Sequence, residues 1–197
     1  MGCELNFELG ELSGIFEKKT MLTPVVESAL NEQIAIESHS SNTYLALASW
    51  CDAKGMEGAA KFFYLQSDEE RAHMLRLFRY INDSGGQAIT PALHAPRTEF
   101  KDILEVVEYF LQGEVKVSDG INKLVYIATQ EKDYTTLNFL QWYVAEQHEE
   151  ETTARNIKDK INLIGLEANG LYLIDKEIGR LAAAATLSKN TDSETGN

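Results

Sequence analysis

The sequence predicts an all-α protein: a four-helix bundle with a long crossover between helices two and three and a short fifth helix. Three observations carry this. Between Thr23 and Leu163, apolar side chains recur at three- and four-residue spacing in four long runs, the period of one helix face. The breaks between runs are short, long and short, which joins two antiparallel hairpins through a crossover. With 3 Pro, 13 Gly and 44% hydrophobic residues among 197, the chain has material for one core and little that breaks helices. No internal repeat of about 20–50 residues is present, which excludes a solenoid.

Residues 1–20, MGCELNFELGELSGIFEKKT, read as an acidic extension without an assigned role. Glu4, Glu8, Glu11 and Glu17 precede the first lysine, whereas a secretory signal begins basic and a transit peptide avoids acids. Asn6 stands where a myristoylation signal after Gly2 needs Ser or Thr. The first helix opens at Thr23-Pro24, a hydroxyl N-cap followed by proline at the first helical position. Glu27 in its first turn suits the positive end of the helix dipole. It runs to about Cys51, where Asp52–Gly55 breaks the pattern.

The second helix spans about Glu57 to Asn82 and stops at Ser84-Gly85-Gly86. Gln87–Thr98, with Pro91 and Pro96, is aperiodic and forms the crossover. The third helix is expected from about Glu99 to Thr129, and the fourth from about Tyr134 to Leu163, closed by Gly165. A short fifth helix, Leu171 to Ala184, would complete a unit of residues 21–184 ahead of a polar, flexible tail, residues 185–197. Each long helix, at roughly 25–30 residues, would span about 40 Å.

Charge narrows the function. Thirty-one acidic against 18 basic side chains give a net charge of −13. Nucleic acids and anionic membranes recruit basic faces, so neither is an expected partner; cations are. No stretch reaches the ~18 apolar residues of a membrane span. Cys3 and Cys51 are too few for a disulfide framework, and a cytoplasmic protein in a reducing compartment is expected.

Carboxylates occupy positions where a core should be. Glu37 lies seven residues from both Leu30 and Tyr44, nearly on one line. Glu70 aligns with Phe63, Met74 and Leu77, and His73 with Leu77 and Tyr80. Glu114 is flanked at helical spacing by Val107, Phe110, Leu111, Val117 and Ile121. Gln147 and Glu150 share a stripe with Leu140, Tyr143, Val144, Ala154 and Ile157. Any one of these acids, taken alone, fits a solvated residue at the edge of its stripe. One in each of four helices asks for more, because an unpaired buried carboxylate costs several kcal/mol or is driven neutral. Four carboxylates and a neutral imidazole balance two divalent cations. Hard oxygen donors with one histidine suit iron or manganese better than a thiolate zinc site. Glu70-x-x-His73 puts both groups on one helix face.

The stretches NEQIAIESHSSNTYLALASWC, DEERAHMLRLFRYI and NFLQWYVAEQHEEET resemble the non-haem bacterial ferritins, over essentially Met21 to Leu181. The resemblance implies a ferritin-like bundle with an intra-subunit ferroxidase centre, oxidising Fe2+ with O2. It also implies a homo-oligomeric shell of 24 subunits that stores ferric mineral. Glu37, Glu70 and His73 match ligands of the first iron, and Glu70 would bridge to a second held by Glu114 and Glu150. Gln147 matches a glutamine beside that centre. Glu69, Glu146, Glu149 and Glu150 match a third iron site, although the run Glu149-Glu150-Glu151 also reads as a solvated face. Tyr44 and Trp142 match electron-donor candidates and read equally as core packing.

Departures sharpen the resemblance. Bacterioferritins carry a second ExxH on the fourth helix, where this chain has Gln147-x-x-Glu150. Their haem-ligating Met follows the second-helix glutamate, where this chain has Arg71, so no haem is expected. Leu137 and Leu140 replace the two acids of the three-fold channel in animal ferritins. Two other readings stay open: a di-iron oxidase or peroxidase, and a metal-buffering or purely structural helical oligomer.

Overall fold

The computed structural model describes residues 20–194, and the side chains of residues 20–186. Five helices follow in order: α1 Pro24–Ala53, α2 Glu57–Asp83, α3 Ile103–Gln130, α4 Tyr134–Ile164 and α5 Ala168–Glu194. No strand occurs among the described residues.

Local chemistry sets the ends. The Thr23 hydroxyl accepts a hydrogen bond from the Val26 N–H at 3.3 Å, and Pro24 fills the turn whose N–H has no helical partner. Gly55 and Gly85, at φ +74° and +88°, close the turns after α1 and α2 in a conformation that favours glycine. Helix α3 begins at Ile103, four residues later than the sequence suggests. Asp102 is extended and its carboxylate accepts from the Glu105 N–H at 3.0 Å, which fixes the start there. Phe100, ahead of that cap, packs edge-on against Trp50 instead. Asp133 caps α4 through the Thr136 N–H at 2.9 Å.

The crossover is tied down where it begins. Asn31 of α1 donates to the Gln87 carbonyl at 3.1 Å and accepts from the Ile89 N–H at 2.7 Å.

Helix α5 corrects the expectation of a short helix and a flexible tail from residue 185. It is 27 residues long and continues to Glu194. Between Gly179 and Gly196 there is neither Gly nor Pro, and LAAAATL is rich in strong helix formers, so nothing stops the helix at Ala184. Its Asp175 accepts from the Gly58 and Ala59 N–H groups at 3.2 and 2.8 Å, capping α2, whose own N-cap Met56 supplies no side-chain bond. The expectations for residues 1–19 and 195–197 fall outside the described residues.

Helix α1 packs on α2 and on α3, and α3 packs on α4. The buried apolar residues form two clusters. One holds Tyr44, Leu47, Phe62, Phe63, Phe110 and Ile157; the other holds Leu30, Ile34, Leu77, Val117, Leu140 and Tyr143. Along every one of α1–α4 the buried residues between the two clusters are polar: Glu37, Glu70 with His73, Glu114, and Gln147 with Glu150. The core is cut across by one carboxylate layer.

Candidate metal centre

Helix periodicity delivers one acid per helix to that layer. Glu37 and Glu114 are fully buried, and Glu70, His73, Gln147 and Glu150 are each under one-tenth exposed. Ligand atoms of Glu37, Glu70 and His73 lie within 4.8 Å of one another. Glu70 Oε2 is 3.4 Å from His73 Nδ1. His73 is held by its neighbours: the Tyr143 hydroxyl donates to its backbone carbonyl at 2.8 Å, and the Trp142 ring meets its imidazole edge-on. Arg76 in turn stacks its guanidinium 4.2 Å from the Trp142 ring centre.

Glu114 is the best-supported acid. The Tyr44 hydroxyl donates to its Oε1, and Gln147 Nε2 donates to its Oε2 at 2.7 Å and to its carbonyl at 3.1 Å. Glu37 receives one bond, from Gln33 Nε2 to Oε1 at 2.9 Å. Its Oε2 and the Oε2 of Glu70 are buried with no donor bonded to them except a proton that one carboxyl could hold toward the other. Two orphaned carboxylate oxygens in one layer are the signature of a place built for a cation.

Proton affinities agree. Burial, then the charge of Glu70, pushes Glu37 well above the carboxylate range. Burial, then Glu114, does the same to Glu70. Glu114 rises to about 7, chiefly through burial and against the lowering effect of Tyr44 and Gln147. Glu150 rises to about 9, through burial and the charges of Glu114, Glu69 and Glu146. Burial also raises the Tyr44 phenol well above its usual value. Negative charge crowded out of water takes up protons unless a cation replaces them.

A second group joins the first through His73. Ligand atoms of Glu69, His73 and Glu146 also lie within 4.8 Å of one another; Glu69 and Glu146 are half-buried, His73 is buried, and Glu69 and His73 line a cleft between α2 and α4. Glu149 is exposed and belongs to neither group. Glu114 and Glu150 belong to neither group of three as well; both are buried in the layer. Val144, placed by periodicity on the buried stripe of α4, is 39% exposed. Reading the sequence missed Gln33 and Gln66. Gln33 sits four residues before Glu37 on the same face, the spacing at which side chains meet. Gln66 donates to Glu69 at 3.1 Å.

A helical bundle with a long crossover, its core divided by buried carboxylates and one histidine, defines a class of carboxylate-rich helical metalloproteins. The chain belongs to the ferritin-like domain family, which matches residues 27–164. It is 46% identical over 165 residues to a Haemophilus influenzae protein described as a "probable bacterial non-heme ferritin-like protein", covering 84% of this chain and all of that one. It is 42% identical over 162 residues to the bacterial non-heme ferritin of Campylobacter jejuni, covering 82% and 97%. The crystal structure of an open pore ferritin from the archaeon Archaeoglobus fulgidus superposes with a TM-score of 0.78 at 39% identity, covering 80% and 96%. No helix among the described residues is long and apolar enough to cross a membrane.

Proposed function

We propose that this protein is a cytoplasmic iron-storage ferroxidase. Fe2+ is its substrate, O2 its oxidant, and ferric mineral its cargo inside a homo-oligomeric shell of 24 subunits. The observation that carries the reading is the pair of orphaned oxygens, Glu37 Oε2 and Glu70 Oε2, in a buried layer short of positive charge.

Glu37, Glu70 and His73 bind one Fe2+; Glu70, Glu114 and Glu150 bind a second. Each pair gives up two electrons to O2. Gln147 and Tyr44 orient Glu114, and Tyr44 is the candidate for a further electron. Glu69, Glu146, Glu149 and Glu150 form a third iron site on the side of the α2–α4 cleft. Protons held by Glu114 and Glu150 near neutral pH leave when Fe2+ arrives, so binding releases acid. Arg71, in place of a methionine after Glu70, supports a centre without haem.

Stopped-flow absorbance after mixing Fe2+ with the aerobic protein tests this. Glu70→Ala is expected to abolish the fast phase while helix content by circular dichroism stays near wild type. Unchanged fast kinetics would sink the assignment. Particle size and ferric iron retained after aerobic loading distinguish storage from an oxidase that keeps no iron and from a buffer that does not oxidise it.

A further inference from the structure

The carboxylate layer is flanked by clefts on opposite sides of the bundle, and their linings differ in kind. The α2–α4 cleft, about 620 Å³, is lined by Asp68, Glu69, His73 and Asp83 together with Arg76 and Arg79. The cleft between α1 and α3, about 270 Å³, has no carboxylate in its lining. Its walls are mainly carbon, with Ala35, Ile36, Thr43, Tyr44, Gly113 and Lys116 among them.

We propose that the α1–α3 cleft is the binding and approach site for dioxygen, while Fe2+ enters from the α2–α4 side, where Glu69 and His73 stand in the wall. The proposal rests on the ferroxidase reading and adds a separate path for each substrate. Three features carry it. First, the cleft is poor for the wrong substrate: it has no acid, the Lys116 ammonium stands in its lining, and its one imidazole, His39, is exposed to water. Second, it suits the right one. An apolar cavity of about 150 Å³ is already large enough to hold xenon, an inert stand-in for O2. Thr43, in the wall, is buried and its hydroxyl has no hydrogen-bond partner, which leaves a donor for a guest oxygen atom.

Third, the cleft ends at the centre. Its wall includes Tyr44, whose hydroxyl is bonded to Glu114, and Gly113, the residue before Glu114. A Cβ at Gly113 would stand 3.0 Å from the Tyr44 hydroxyl, so glycine lets the phenol reach Glu114 beside the cleft.

Crystals of the wild-type assembly pressurised with xenon test the site directly: a xenon atom is expected between Ala35, Ile36 and Gly113. Ala35→Phe, with Ala35→Leu as the milder plug, is expected to raise the KM for O2 about tenfold with kcat at saturating O2 retained, the pattern of lost ground-state access. Anaerobic Co2+ binding, followed by its visible absorbance, should match wild type. Xenon absent from this cleft, or an unchanged KM for O2 in both variants, overturns the proposal. A wild-type protein that fails to oxidise Fe2+ at any O2 pressure overturns the ferroxidase reading instead, and xenon occupancy is scored independently of it.

Discussion

The hydroxyl of Tyr44 on α1 donates a hydrogen bond to Glu114 Oε1 on α3. One aromatic residue therefore closes the end of an apolar cluster with its ring and steadies a carboxylate of the layer with its oxygen. Tyr44→Phe keeps the ring contact with Phe110 and removes the donor. Leaving a buried acceptor without its partner costs about 1–3 kcal/mol, so the metal-free variant should lose stability on that scale in urea unfolding. The same bond lowers the proton affinity of Glu114, so its loss should also weaken Fe2+ binding below neutral pH. Wild-type stability together with unchanged binding at pH 6 would show that the bond does neither.

Stability of the metal-free protein should fall as pH rises. Glu114 titrates at about 7 and Glu150 at about 9 in the folded chain, above their unfolded values. For such raised groups the unfolded state sheds its protons first, so the contribution is complete below about pH 4.5 and is lost as pH climbs through the folded values. Melting temperatures of metal-free protein between pH 5.5 and 9 should therefore decline, and Co2+ should flatten the slope by taking the place of the protons. A metal-free melting temperature that rises over this window would contradict the burial argument.

Gly58 should not tolerate a side chain. A Cβ there would sit 2.2 Å from the Asp175 backbone oxygen, where α5 crosses the start of α2. Gly58→Ala must displace a helix, and overpacking of this kind costs about 1–3 kcal/mol. Hydrogen exchange should then accelerate in α5 and in the first turn of α2, which Asp175 caps, before it changes around Glu37. Uniform acceleration across all five helices would mean that α5 is not a separately docked element.

The bundle was largely legible in the sequence because its signals are local and repeated. Thr23-Pro24, the Gly85-Gly86 pair and four long apolar stripes each act within a few residues. The acids of the layer were legible for a related reason: a Glu on an apolar stripe contradicts its surroundings, and the contradiction recurs on four helices. What escaped depends on geometry that spacing does not encode. Val144 lies beside Tyr143, but the buried positions of α4 step from Leu140 to Tyr143 to Gln147, and Val144 rotates out to solvent. The start of α3 moved because a single carboxylate, Asp102, outcompeted the apolar pattern around Phe100. Gln33 was hidden by its type: an amide on a stripe draws no attention until its partner Glu37 is known to be buried.

The polar layer also decides how the helices may slide. Each of α1–α4 has its acid or acid–histidine pair at one height, with apolar side chains above and below. Moving any helix by one turn, about 5.4 Å, would carry its carboxylate in among leucines and phenylalanines and leave its former partners facing carbon. Each misaligned register costs several kcal/mol, whereas a bundle with an unbroken apolar seam would hardly distinguish them. The residues proposed to collect metal are thus the same ones that index the four helices against each other, and replacing them would also loosen the rule that assembles the bundle.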